Sequence, residues 1–267
     1  MTNTAHHSSS SVPLLKLLSV GGYRVYSTLR GITPDLENEP YAGVNLCHYT
    51  GDSPARVAAC RSALAETFGI FPERLIIPRQ THSTNILSIT SSIPTSAQCQ
   101  DIDAVVSTLP DIIIGVSTAD CVPLMMVDPV AGVTAAVHAG WRGAAAGIAP
   151  RALLAMTGLG ATTENIHAVM GPSICADCFE VGPEVAGNFP AECVLTDGFP
   201  RPHVSLQSAI TGQLVSAGLS PENIEPFSAG LCTRCHPSSF FSARRLGVAS
   251  GRIFTFIAPP SLKRRDF

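Results

Sequence analysis

Val133-Thr134-Ala135-Ala136-Val137-His138-Ala139-Gly140-Trp141-Arg142-Gly143 runs from a β-rich apolar stretch to one histidine, then to a Gly-flanked Trp-Arg turn that opens an Ala-rich segment. The order predicts a buried strand that delivers His138, followed at once by a helix start carrying Arg142. Free N–H groups at a helix start, with a guanidinium beside them, attract phosphate or carboxylate. His138 next to such a place is a candidate metal ligand or base. Two segments upstream extend the pattern: Gln80-Thr81-His82-Ser83 and Thr118-Ala119-Asp120-Cys121-Val122-Pro123. The three together supply His, Cys and His, each at the edge of an apolar run.

Strand signal is densest around this centre, at residues 112–118, 122–128 and 133–138, with turns at Asp128-Pro129 and Ala131-Gly132. Shorter strands are predicted at 14–18, 23–28, 75–78, 85–89, 103–107, 166–170 and 251–257, the first two as a hairpin around Gly21-Gly22. Helical spacing appears at 56–68 after an Asp52-Ser53-Pro54 cap signal, at 144–156 with a kink at Pro150, and at 183–189 and 206–217. Strands and helices intermix without a regular βαβ beat, so the expectation is α/β with mixed sheets carrying helices. A single domain over residues 14–267 is expected, behind a polar, Ser-rich tail at 1–13.

Composition narrows the function class. The chain has 267 residues, is 45% hydrophobic and only 14% charged, and carries a net charge of −3. That balance gives no field for nucleic acid or an anionic membrane. No apolar run reaches the roughly 18 residues of a membrane span. The N-terminus lacks a basic region followed by an apolar one, so it does not read as a secretory signal. Nine cysteines in such a chain read as mostly reduced. The expectation is a soluble cytoplasmic protein.

His82 and Cys121 are 39 residues apart, and Cys121 and His138 are 17 apart. No local finger has such spacing, so a joint site must be assembled by the fold. Imidazole nitrogen and thiolate sulfur suit Zn²⁺, and three protein ligands leave the open position of a catalytic site. Copper oxidase chemistry draws on many histidines, often as His-x-His. This chain has eight and no such pair, so zinc is preferred to copper. A thiolate nucleophile is the competing reading, with Cys121 attacking, His138 as base and Asp120 or Asp103 as orienter. Sequence alone does not separate ligand from nucleophile.

Two Cys-x-x-Cys pairs, Cys175/Cys178 and Cys232/Cys235, stand 54 residues apart, against roughly 15–20 in a zinc ribbon. Their role stays open. Cys232-Thr233-Arg234-Cys235-His236 matches the haem c attachment pattern, which needs export and is read as accidental. Arg142, Arg244 and Arg245 follow small or aromatic residues rather than lying in a charged run, which makes them candidates for a bound anion. Asn45 and His48 sit in a loop where polar side chains could face a ligand.

The motifs as a set resemble a known family. Gln80-Thr81-His82, Asp103 to Ser107, Ala119-Asp120-Cys121, His138 to Gly143, Gly171-Pro172-Ser173-Ile174 with Phe179-Glu180-Val181, and Phe241-Ser242-Ala243-Arg244-Arg245 occur in order. They look like the YfiH-type family, also called laccase-domain or polyphenol-oxidase-like. The resemblance implies a four-layer α/β/β/α sandwich and a zinc ion on His82, Cys121 and His138. It implies action on purine nucleosides with phosphate: phosphorolysis of adenosine, inosine, guanosine and methylthioadenosine, plus adenosine deamination. Arg142, Arg244, Arg245 and Asn45 would then serve substrate and phosphate. Some members are instead linked to peptidoglycan editing. A thiol-dependent hydrolase or amidase working through Cys121 therefore stays open, as does a zinc-binding interaction module. One departure is Ala243, where the family more often has Tyr; it bears on substrate preference.

Overall fold

The computed structural model describes residues 12–265. Its first half runs β1 (Leu14–Val20), β2 (Tyr23–Thr28), α1 (Pro54–Thr67), β3 (Leu75–Ile76), β4 (Ile86–Ile89), β5 (Ala104–Ser107) and β6 (Ile113–Thr118). Then come β7 (Val122–Asp128), β8 (Val133–Ala139), α2 (Trp141–Ala145), α3 (Ile148–Gly158) and β9 (His167–Met170). The chain closes with α4 (Pro183–Ala186), β10 (Val194–Leu195), β11 (His203–Val204), α5 (Leu206–Ser216), α6 (Ala243–Leu246) and β12 (Ile253–Ala258).

Two five-stranded sheets form, in the orders β1-β2-β12-β6-β3 and β4-β5-β8-β7-β9. Both are mixed: β3 runs parallel to β6 and β4 parallel to β5, while the other pairs are antiparallel. β6, β7 and β8 are buried along their whole length. That explains their unbroken apolar sequence, because a strand covered on both faces has no solvent side to alternate with.

Side-chain packing fixes what covers each face. Tyr26, Ile113, Phe254 and Phe256 of the first sheet pack on Leu64 and Ala65 of α1. Its other face sends Val25, Val116 and Ile257 against Val105, Met125, Val127 and Ala136 of the second sheet. The far face of the second sheet, with Leu124 and Val137, meets Ala149, Leu153 and Met156 of α3 and Ile210 and Leu214 of α5. Helices thus lie outside and the two sheets meet in the middle.

The predicted strands and the 56–68 and 206–217 helices are found within two residues of their expected limits. The predicted helix at 144–156 is two helices instead. Gly147, at φ +73, adopts a left-handed conformation that ends one and starts the other. Pro150 then falls in the first turn of α3, where a missing N–H costs nothing, so no kink results. The segment at 183–189 forms only one turn. Of the expected tail at 1–13, only Val12 and Pro13 lie within the described residues. Val12 is buried against the α1 layer and the Pro13 carbonyl accepts from Leu29 N–H at 2.9 Å. Among the described residues no helix is long and apolar enough to cross a membrane.

Candidate metal centre

Strand register brings the central residues together. β8 pairs with both β5 and β7, setting Ala104 opposite Val137 and Pro123 opposite His138. The end of β8 therefore lies beside the starts of its two antiparallel neighbours. Val105, Met125, Val127 and Ala136 face the other sheet. Asp103, Cys121 and His138 are each an even number of residues from one of these, so the pleat puts all three on the same side. They emerge where the core between the sheets runs out.

His82 arrives on a loop, and the loop is tied down on both sides. The buried Gln80 amide donates from Nε2 to the Ser117 carbonyl and accepts from Ser117 N–H on Oε1, both at 2.8 Å. Asp103, fully buried, accepts from the N–H groups of Thr81 (3.1 Å), His82 (3.0 Å) and Ser83 (2.8 Å) and from Ser83 Oγ (2.8 Å). Its Oδ1 also lies 2.6 Å from Nδ1 of His138. Burial alone would raise the Asp103 carboxyl, but the His138 ring, Ser83 and the Thr81 N–H outweigh it and hold it at about 2. His82 and Asp120 are two of the three non-glycine residues at positive φ among those described, at 63° and 87°. Such conformations persist only where the surroundings impose them. Here those surroundings are the hydrogen bonds around Asp103 and the contacts of Asp120.

One donor atom each from His82, Cys121 and His138 lies within 4.8 Å of the other two. Nε2 of His82 is 3.7 Å from Sγ of Cys121, and the two imidazole rings stand at 74° with centroids 4.9 Å apart. With Nδ1 of His138 engaged by Asp103, Nε2 is the nitrogen left for the site. Burial pushes the Cys121 thiol up, but the His138 charge and hydrogen bonds from both histidines bring it down to about 6. Burial lowers His138, but the Cys121 thiolate and Asp103 raise it to about 9. Both shifts share one source, the attraction between the Cys121 sulfur and the His138 ring, which a metal ion would use in place of a proton. Gly140 is required by this crowding, since a Cβ there would lie 2.8 Å from Cδ2 of His82 and 3.0 Å from Sγ of Cys121.

The trio lies in a cleft of about 460 Å³ walled by Tyr49, Trp141, Phe179, Ala243, Arg244 and Arg252. Other clefts on the surface are larger, but this one alone gathers the His/Cys/His donors. Of the predicted arginines, Arg244 reaches the cleft. One of its terminal nitrogens donates to the Glu180 carbonyl at 2.9 Å, and its guanidinium lies over the Phe179 ring at 5.4 Å. Arg142 is exposed, rests over Trp141 at 4.3 Å and is not among the lining residues. Its helix, α2, has five residues, too few for the expected helix-start field. Arg245 turns toward Glu37, 4.0 Å away. Asn45 is buried, with its amide spent on Asp52, Cys47 and the Arg252 N–H, and it does not line the cleft. Sequence reasoning passed over Tyr49, Ser117 and Arg252, which come from three distant segments with no local pattern to mark them, and noted Phe179 only within the Phe179-Glu180-Val181 motif, with no role assigned.

Fold and site define a mixed-sheet α/β protein with a His/Cys/His centre in an open cleft. The family model described as multi-copper polyphenol oxidoreductase laccase matches residues 29–259, and the chain belongs to that family. It is 44% identical over 252 residues to adenosine deaminase RL5 from an unknown prokaryotic organism, covering 90% of this chain and 95% of that protein. It is 37% identical to a purine nucleoside phosphorylase of Bacteroides thetaiotaomicron, covering 81% and 85%. The crystal structure of the hypothetical protein YfiH of Bacillus licheniformis superposes with a TM-score of 0.82 at 26% identity, covering 94% of this chain and 97% of that one.

Proposed function

We propose that this protein is a zinc-dependent enzyme of purine nucleosides that performs phosphorolysis and deaminates adenosine. The observation that carries the reading is the convergence of His82, Cys121 and His138 in the cleft, with Asp103 locking the ring of His138. The names of the relatives at 44% and 37% identity supply the substrate class.

The donor set fits a catalytic zinc: two imidazoles, one thiolate already biased to ionise, and a side facing the cleft. Two histidines and a cysteine also suit copper electron-transfer sites, but those are closed by a weak axial Met or Gln. No Met is among the described residues lining this cleft, and both amide atoms of its Gln80 are taken by Ser117. Zinc supplies Lewis-acid activation of water near neutral pH. The protein's own groups do the remaining work. Asp103 fixes the tautomer and direction of His138, as carboxylates behind ligand histidines do. Tyr49, Trp141 and Phe179 offer aromatic faces for a purine. Ser117 lines the cleft, and its Oγ is buried without a hydrogen-bond partner among the described residues.

In phosphorolysis a phosphate oxygen bonds to C1′ as the C1′–N9 bond breaks, giving free base and ribose-1-phosphate. Positioning phosphate against the sugar is then most of the task. We place that subsite on Arg244, with Arg252 nearby, and give Arg142 the role of bracing Trp141. Ala243 leaves the wall beside Arg244 smaller than a Tyr would, which bears on which purine fits. Methylthioadenosine, guanosine and inosine are expected substrates on the same geometry.

The test is product analysis on adenosine with and without phosphate. Inosine without phosphate, and free base with ribose-1-phosphate when phosphate is added, are the expected products. No turnover of any purine nucleoside by zinc-loaded protein overturns the reading. A second reading, a thiol hydrolase or amidase, is favoured by one observation: Cys121 Sγ lies beside both histidine rings, which lower its thiol. It predicts a covalent intermediate on Cys121 in metal-free protein.

A further inference from the structure

The geometry points to a second metal site, a closed zinc tetrathiolate formed by Cys175, Cys178, Cys232 and Cys235, that rivets the loop lining one wall of the cleft at Ile174 and Phe179 to the loop behind it. The four Sγ atoms all lie within 4.8 Å of one another, and those of Cys178 and Cys235 are 3.5 Å apart. A disulfide would need about 2.0 Å. Four thiolates around one zinc, with Zn–S near 2.3 Å, stand about 3.8 Å from each other. The observed spacing matches the second arrangement.

Backbone contacts show that the fold brings these pairs together on purpose. Ser173 and Cys232 form a parallel bridge, with Ser173 N–H donating to the Leu231 carbonyl and Thr233 N–H to the Ser173 carbonyl, both at 3.1 Å. The Cys175 N–H points at Sγ of Cys232, 3.4 Å away. Backbone N–H groups aimed at sulfur stabilise a thiolate rather than a thiol. An all-sulfur set of four, with no carboxylate and no open position, is that of a structural zinc. Cys235 is exposed and Cys175 and Cys178 are half-buried, so packing of small apolar groups does not explain the cluster.

What the site holds follows from its neighbours. Thr233, inside the second Cys-x-x-Cys, donates from Oγ1 to Oδ1 of Asp120 at 2.6 Å. Oδ2 of the same Asp120 accepts the Arg244 N–H at 2.6 Å, and its carbonyl accepts the Ile174 N–H at 2.9 Å. Asp120 precedes Cys121. Phe179 and Glu180, which hold the Arg244 guanidinium, directly follow Cys178. The tetrathiolate therefore anchors both segments that position Arg244 and brace the residue before Cys121.

Elemental analysis of purified wild-type protein is expected to give two zinc ions per chain. The Cys178→Ser/Cys235→Ser double variant is expected to keep one, and His82→Ala to lose the other one instead. Cobalt bound to the His82→Ala variant should show the intense thiolate-to-metal absorption of a sulfur-only site. One zinc per chain, lost in His82→Ala, would overturn the proposal, as would two zinc ions in the double variant. Should the double variant not fold, alkylation of wild-type holoprotein decides. All four cysteines are expected to be protected until chelation and labelled after it. Labelling before chelation, or a disulfide among them, overturns the site.

Discussion

Asp103 is the residue on which the His/Cys/His geometry turns. Its carboxylate takes four hydrogen bonds from the 81–83 loop and one from His138. An Asn in its place keeps the shape but meets three N–H groups with only one oxygen. Asp103→Asn should weaken zinc binding by about 10–100-fold, as loss of a carboxylate behind a ligand histidine does. Competition against a chromogenic chelator measures it, and unchanged affinity would remove Asp103 from this role. Arg244 has the other assignment at this scale. Losing one charge-assisted hydrogen bond costs about 1.5–3 kcal/mol, so Arg244→Ala should raise KM for phosphate about tenfold or more. Arg142→Ala should move it far less. Steady-state kinetics at varied phosphate separates them, and an equal effect of the two would displace the subsite from Arg244. His82, Cys121 and His138 were recognisable in the sequence through their motifs. Asp103 stood only as one of two possible orienters, because nothing in a linear sequence shows which carboxylate lies behind which ring.

Among the elements, the pairing of β5, β8 and β7 does the assembling. A slip of one residue between β7 and β8 would turn Cys121 to the helix-covered face and leave His138 alone. Met125 lies on the same face as Cys121, fully buried between the sheets. Met125→Ala should destabilise the fold by about 2–5 kcal/mol, read as a lower denaturant midpoint at constant slope. Zinc per folded chain should stay the same. Loss of zinc before loss of fold would mean that the hairpin does not hold the centre as a unit. These strands were legible as continuous apolar runs between turns. The break at Gly147 was not, because the left-handed conformation that ends α2 depends on where α3 packs. The Cys-x-x-Cys pairs were equally opaque. Ribbon spacing assumes a short loop between the pairs, whereas here α4, β10, β11 and α5 intervene and a bridge between Ser173 and Cys232 closes the distance.

For the whole molecule, two sheets pressed face to face leave a rim where their shared core ends, and the cleft occupies that rim. Mixed sheets with helices were readable from the alternation of runs. The cleft wall was not, since Tyr49, Phe179 and Arg252 meet only after both sheets have closed. Fold alone does not name a reaction, and the central claim is that turnover depends on the ion held by His82, Cys121 and His138. Adenosine turnover by chelator-stripped protein, before and after zinc is restored, tests this most directly, with Cys121→Ser alongside. The predicted result is no turnover when stripped, recovery with zinc in the wild type, and none in Cys121→Ser. Undiminished turnover by metal-free protein, with substrate trapped covalently on Cys121, would contradict it.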